Sequence, residues 1–262
     1  MTIVIIRKSP AEIEKMARAG AVVRGCLELM AREIRPGITT RELDKLAEKY
    51  IRAKGGVPTF KGYRGFPGSI CASPNDMVVH GIPGKVRLSD GDILGVDVGV
   101  TMEGYIADAA MTFAVGEISE EARRLLRVTE ESLMRGVEQC RIGNRVGDIS
   151  HAVQVHAESH GYAVVQSMVG HGVGRDMHED PQVPNFGPPG QGAELREGMV
   201  LAIEPMVNAG GYAVEMGDDG WAIYTRDGSL SAHFEHTVAI TNSGPRILTI
   251  SEVPGAGKAA ER

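Results

Sequence analysis

Apolar residues recur at helical spacing in four places along the chain. Ser9-Pro10-Ala11-Glu12 offers a Ser cap, Pro in the first turn and a Glu placed to close a capping box, and Ile13, Met16, Val23, Leu27, Met30 and Ile34 follow. Thr39-Thr40-Arg41-Glu42 is a second capping box, leading into Leu43, Leu46, Ala47, Tyr50 and Ile51 and stopped by Gly55-Gly56. Ser119 opens a third helix through Leu126, Leu133 and Val137, and Asp148 opens a fourth through Ile149, Ala152, Val153 and His156 to Gly161. Elsewhere the pattern shortens to strand-like runs. One of them, "LREGMVLAIEPMV" from Leu195, reads as a single buried strand from Met199 to Val207, opened by a turn at Glu197-Gly198 and interrupted by Glu204. An ionised carboxylate buried without a partner is strongly unfavourable. Glu204 is therefore protonated, paired, or set against a cation.

The helices come in two matching pairs. "RPGITTRELDKLAEKYIRAKGG" from Arg35 aligns with "RIGNRVGDISHAVQVHAESHGY" from Arg141, with Gly37 over Gly143 and Gly55 over Gly161, both 106 apart. "LSDGDILGVDVGV" from Leu88 aligns with the Glu204 stretch at an offset of 107, which sets Asp97 opposite Glu204. A second acid follows in each half, Asp108 in "YIADAAMTFAVG" and Glu235 in "HFEHTVAIT", at an offset of 127, so the second half carries an insertion. If the halves, about 9–118 and 119–250, pack about a pseudo-twofold axis, four acids converge from four strands. Four anions in one apolar place stay ionised only if cations neutralise them, and this favours the metal reading of Glu204.

"MVGHGVGRDMHEDP" supplies a nitrogen donor, His171, between glycines that let the backbone come close, with His178 seven residues on. That gap fits neither a helix-face pair nor an H-E-x-x-H, so the two histidines need not share a job. His80 ends a short apolar run before a Gly-Ile-Pro turn, where side chains reach a cleft mouth. His151, His156, His160, His233 and His236 take the plainer reading of satisfied core or surface residues. One imidazole with four carboxylates is an oxygen-rich, fairly hard set, suited to two divalent ions that activate water for hydrolysis. Neither G-x-x-x-x-G-K-[ST] nor G-x-S-x-G occurs, so phosphate-loop and serine-hydrolase mechanisms lack their parts.

Composition narrows the context. With 262 residues, 42% hydrophobic and 24% charged, the chain can bury a large core as one domain or two intimate ones. A net charge of -6 and a pI near 5.8 argue against sequence-independent binding to nucleic acid or to a membrane surface. Cys26, Cys71 and Cys140 are odd in number and lack C-x-x-C spacing, which favours buried thiols and a reducing, cytoplasmic location. The opening "MTIVIIRKSP" is the reverse of a secretory signal, and "EVPGAGKAAER" has the composition of a frayed tail. No apolar heptads or extra apolar helix suggest assembly, so a monomer is expected.

Taken in order, "SICASPNDMVVHGIP", "DGDILGVDVGV", "GYIADAAMTFAVG", "GHGVGRDMHEDP", "AIEPMV" and "DGWAIYTRDGSLSAHFEHT" resemble the type I methionine aminopeptidases, from about Ser9 to Ile250. The resemblance implies an α/β, duplicated "pita-bread" fold, a curved antiparallel sheet covered by helices, forming one catalytic domain over 1–262. It implies metal ligands at Asp97, Asp108, His171, Glu204 and Glu235, with Asp108 and Glu235 bridging two ions of Mn, Fe, Co or Zn, and Mg also tolerated. It makes Glu204 a proton carrier for the attacking water, His178 a donor to the scissile carbonyl and His80 a contact to the peptide nitrogen. It also implies a methionine pocket of Tyr63, Phe66, Cys71, Met177 and Trp221. Sulfur and aromatic faces suit a thioether. The substrates implied are N-termini of nascent polypeptides with a small second residue, met near the ribosome exit.

The chain departs from that pattern in three places. Met177 stands where bacterial relatives commonly have Phe, which changes the pocket's shape. "IADAA" around Asp108 lacks the usual His-Gly before the ligand and the small hydroxyl residue after it, so an altered hydrogen-bonding shell is expected. Only eight residues precede the first cap, as in the short bacterial-type form. An X-Pro aminopeptidase or prolidase usually carries a sizeable domain ahead of the catalytic one, and a binding module of this fold would have lost metal ligands. All five implied ligands are present here.

Overall fold

The computed structural model describes residues 4–250; the tail read from Glu252 onward lies outside the described residues. The first half runs α1 (Pro10–Glu33), α2 (Thr40–Ala53), β1 (Val57–Pro58), β2 (Cys71–Pro74), β3 (Met77–Val79), β4 (Ile93–Met102) and β5 (Tyr105–Ala114). The second half begins again with helices: α3 (Glu120–Glu138), α4 (Val146–Ser159), β6 (Ala163–Val164), β7 (Gly170–Gly172) and β8 (Glu179–Val183). It continues through β9 (Val200–Ile203), β10 (Met206–Asn208), β11 (Val214–Met216), β12 (Ile223–Thr225), β13 (Ser231–His233), β14 (His236–Thr241) and β15 (Gly244–Ile247).

The capping boxes at Ser9 and Thr39 form, with Glu12 and Glu42 reaching back to the cap N–H groups at 2.8 and 2.9 Å. Two helix boundaries differ from the pattern. Helix α1 stops at Glu33 and Ile34 turns extended, because Arg35 precedes Pro36 and is barred from the helical region. Helix α4 starts at Val146, two residues before Asp148, whose carboxylate reaches back to accept from Arg145 N at 2.7 Å. Asp148 is thus the acid of the first turn and not the cap.

The repeat is visible in the backbone. Gly37 and Gly143 take φ of 90° and 91°, Gly55 and Gly161 take 79° and 86°, all left-handed values that a side chain would resist. Gly37 N donates to Leu88 O and Gly143 N to Leu195 O, the same bond in each half. Strand β4 pairs antiparallel with β1, β2 and β5. Its counterpart is the β9–β10 segment, where β10 pairs with β6 and β13 and β9 pairs with β7 and β14.

The counterpart is broken where β4 is continuous. The single strand expected from Met199 to Val207 splits at Glu204-Pro205 into β9 and β10, which lie in different sheets. Pro205 has no N–H to give to a ladder, so the strand cannot run through it. Glu204 stands at the break, released from the alternation of the strands on either side.

Each half has its own apolar core. Residues of α1, α2, β4 and β5 form one, and α3, α4, β9 and β14 supply most of the other. The halves join where Glu235 N donates to Ala110 O at 2.9 Å and Thr237 meets Asp108 across β5 and β14. Among the described residues, no helix is long and apolar enough to cross a membrane.

Candidate metal centre

Asp97 lies in the middle of β4, facing Ala110 of β5 on one side and Cys71 of β2 on the other. Asp108 is on β5 and is 1% exposed; Glu235, in the step between β13 and β14, is 2% exposed. His171 on β7 points Nε2 at 3.7 Å from Asp108 Oδ2 and 3.5 Å from Glu204 Oε1. Its Nδ1 lies 2.9 Å from Gly172 O. A carbonyl only accepts, so Nδ1 carries the proton and Nε2 keeps its lone pair toward the acids. Ligand atoms of Asp108, His171 and Glu235 fall within 4.8 Å of one another. The acids that the sequence repeat placed in symmetric positions meet at one place.

Burial, and after it the charge of the neighbouring acids, pushes the carboxyls of Asp97, Glu204 and Glu235 well above the carboxylate range. Asp108 is also raised by burial, against the opposing pull of His171 and the Thr237 hydroxyl. Asp97 Oδ1, Glu235 Oε1 and His233 Nε2 are buried with no hydrogen-bond partner. Buried polar atoms are otherwise almost always satisfied. Four crowded carboxyls, one imidazole lone pair and orphaned oxygens are what a site for divalent cations requires, and the donor set fits that group.

The histidines set apart by sequence spacing come together. The His178 ring centroid is 4.3 Å from that of His171. Burial, then the neighbouring His171, Arg64 and His80, lowers the His178 pKa to about 4. His80 follows β3 with φ 62°, and burial lowers its pKa too. Tyr63 stacks on His178 at 5.5 Å, and its hydroxyl lies 2.8 Å from His178 Nδ1.

Phe66, Cys71 and Met177 are buried in one apolar cluster against which Tyr63 and Trp221 pack, and Phe66 and Trp221 meet edge to face at 5.1 Å. All five residues implied for the pocket therefore belong to one apolar cluster. Burial, then the nearby Asp97, pushes the Cys71 thiol well up, so it packs as a neutral group.

The shell around Asp108, expected to be altered, contains Thr237, whose Oγ1 donates to Asp108 O at 2.7 Å and lies 3.0 Å from both Asp108 Oδ1 and Asp108 N. The hydroxyl missing after Asp108 in sequence arrives from the opposite strand. His233, read as an ordinary residue, is buried with Nε2 4.0 Å from Glu204 Oε2. The sequence signal was available in the two-residue alternation, which puts 233, 235 and 237 on one side of an extended run.

Comparison with known proteins places these features. The profile of metallopeptidase family M24 matches residues 14–242. A methionine aminopeptidase of Clostridium perfringens is 54% identical over 246 residues, covering 94% of this chain and 99% of that protein. The crystal structure of methionine aminopeptidase from Rickettsia prowazekii is similar with a TM-score of 0.93 at 40% identity, covering 94% of this chain and 100% of that one. The prolidase from Pyrococcus furiosus shares the fold at a TM-score of 0.77 and 24% identity, and here 95% of this chain covers only 66% of that one.

Proposed function

This chain belongs to metallopeptidase family M24 and has its pita-bread fold, and from that premise we propose that it removes methionine from the N-termini of peptides and proteins. The observation that carries the reading is the adjacency of two things, the carboxylate-rich centre with its orphaned buried oxygens and the apolar cluster of Phe66, Cys71, Met177 and Trp221. The first suits hydrolysis and the second a thioether side chain. Both halves contribute to that cluster, which supports reading the chain as one catalytic domain.

Asp97, Asp108, His171, Glu204 and Glu235 would hold two divalent ions of the Mn, Fe, Co or Zn class. Bound there, the ions supply Lewis acidity toward water and the scissile carbonyl. The remaining work falls to side chains. Glu204, at the strand break, takes the proton of the attacking water and passes it to the leaving amine. His178, neutral at working pH and held by Tyr63, donates from Nε2 to the carbonyl oxygen as charge develops on it. His80 contacts the peptide nitrogen. Substrates are nascent chains with a small second residue, and three free, buried cysteines support a cytoplasmic setting.

The test is release of amino acids from Met-Ala-Ser, Ala-Ala-Ser and an X-Pro tripeptide by chelated protein, before and after titration with Mn, Co or Fe. Metal-dependent release of methionine alone is expected. Two bound equivalents with no turnover of any peptide would sink the reading and favour a binding module of the same fold.

A further inference from the structure

His156 and His160, each hydrogen-bonded as the plainer reading expects, come together where α4 packs on α3. The two residues are four apart at the C-terminal end of α4, so they share a face, and their rings lie 4.6 Å apart. Glu131 of α3 meets them there: its Oε2 is 3.0 Å from His156 Nε2, and potential ligand atoms of all three residues fall within 4.8 Å of one another. Three further features suit this place to a cation. His160 Nδ1 lies 2.8 Å from His156 O, so it must donate, which leaves the ring's other nitrogen with a lone pair. That bracing of one imidazole nitrogen by a carbonyl is typical of metal-binding histidines. The C-terminal end of a helix also favours positive charge, and Glu131 is 46% exposed, so an ion can enter from solvent.

We propose that Glu131, His156 and His160 form a second site, in the helical layer of the second half, for one divalent ion of the zinc class, clipping α3 to α4. Two imidazoles and one carboxylate leave coordination positions for water and select zinc, nickel, cobalt or copper over the harder manganese and magnesium. The five-residue centre, with four carboxylates, has the opposite bias. The consequence is a metal count that depends on the metal: zinc fills one place that manganese leaves open.

Equilibrium dialysis of the chelated full-length chain against zinc and against manganese, with metal analysis, tests this. The wild type is expected to hold one more zinc than the His156→Gln/His160→Gln variant, while the two hold equal manganese. Zinc should raise the thermal midpoint of the wild type beyond that of the variant. Glu131→Gln, which disturbs α4 less, should weaken the extra zinc by roughly tenfold or more, since even outer-shell losses cost 10–100-fold. Equal zinc counts in wild type and both variants would overturn the proposal. The readout is binding, so a failure to hydrolyse Met-Ala-Ser would leave this result standing.

Discussion

The Tyr63 hydroxyl lies 2.8 Å from His178 Nδ1, and the two rings stack at 5.5 Å. A neutral imidazole has one donor and one acceptor nitrogen, and a phenol that donates to Nδ1 puts the proton on Nε2. With the phenol as donor, Tyr63 favours the tautomer in which His178 can donate to a carbonyl, a role beyond lining a pocket. Tyr63→Phe keeps the ring and loses that selection. A single hydrogen bond of this kind contributes roughly 0.5–1.5 kcal/mol, so kcat should fall about 2- to 10-fold with little change in KM. Equal losses with Met-Ala-Ser and a longer peptide would fit this role; a rise in KM alone would return Tyr63 to the pocket.

Thr237 is the hydroxyl partner of Asp108. Thr237→Val preserves shape and removes the donor to Asp108 O along with the contact to its carboxylate. Loss of such an outer partner costs roughly 10–100-fold in metal affinity. Metal titration of the chelated variant should show that weakening while the fold, read by circular dichroism, is retained. Unchanged affinity would mean that Asp108 is oriented by its strand alone.

Helices and acids were legible because they obey local rules. Ser9 with Glu12 and Thr39 with Glu42 announce their helices by capping chemistry, and the offsets of 106 and 107 exposed the pairing of Asp97 with Glu204. What stayed hidden depends on contacts between distant segments. Thr237 and Asp108 are 129 residues apart and meet only because β5 and β14 cross at the join of the halves. Tyr63 and His178 are 115 apart, and no periodicity connects a short helical turn with a glycine-rich loop. The break at Glu204-Pro205 was written in the sequence, as a proline within an apolar run, yet the hydrophobicity on both sides masked it.

Proton traffic should accompany metal binding. The folded-state pKa values of Asp97, Asp108, Glu204 and Glu235 lie above their ordinary values of 3.8 and 4.5. Their contribution to the stability of the chelated protein is thus fully present below about pH 4 and is lost as pH rises through the folded values. His233, lowered to about 3, and His178 and His236, lowered to about 4, from 6.5, act with the opposite sign: their contribution is present above 6.5 and lost as pH falls through those values. The carboxyls should therefore cost the chelated protein stability as pH rises, and added metal should offset that loss. Calorimetry in two buffers of different ionisation enthalpy should show protons released on metal uptake, with affinity rising with pH. Proton release that does not grow as pH falls would contradict the raised carboxyls.

The loop that carries Met177 and His178 is held by Lys8 of the N-terminal arm. Lys8, 6% exposed, donates from Nζ to Glu179 Oε2 at 2.5 Å, and its backbone N donates to Gly198 O at 2.6 Å. Gly198 has φ 85°, and a Cβ there would sit 2.6 Å from the Lys8 carbonyl oxygen, so only glycine lets the arm lie this close. The other oxygen of Glu179 accepts from Arg175 N at 3.0 Å and Asp176 N at 3.4 Å, closing the turn around Met177 and His178. Lys8→Met leaves the Glu179 carboxylate buried without its cation and should destabilise the fold by roughly 3–5 kcal/mol. Adding Glu179→Leu removes the stranded charge and should restore much of that stability, because buried ion pairs are often replaceable by apolar residues. The double variant still lacks the acceptor for two backbone N–H groups, so His178 loses its fixed place and kcat should stay low after stability returns. Urea unfolding and kcat measured on both single variants and the double separate the two effects. Recovery of both together would show that the pair stabilises the fold without positioning the loop.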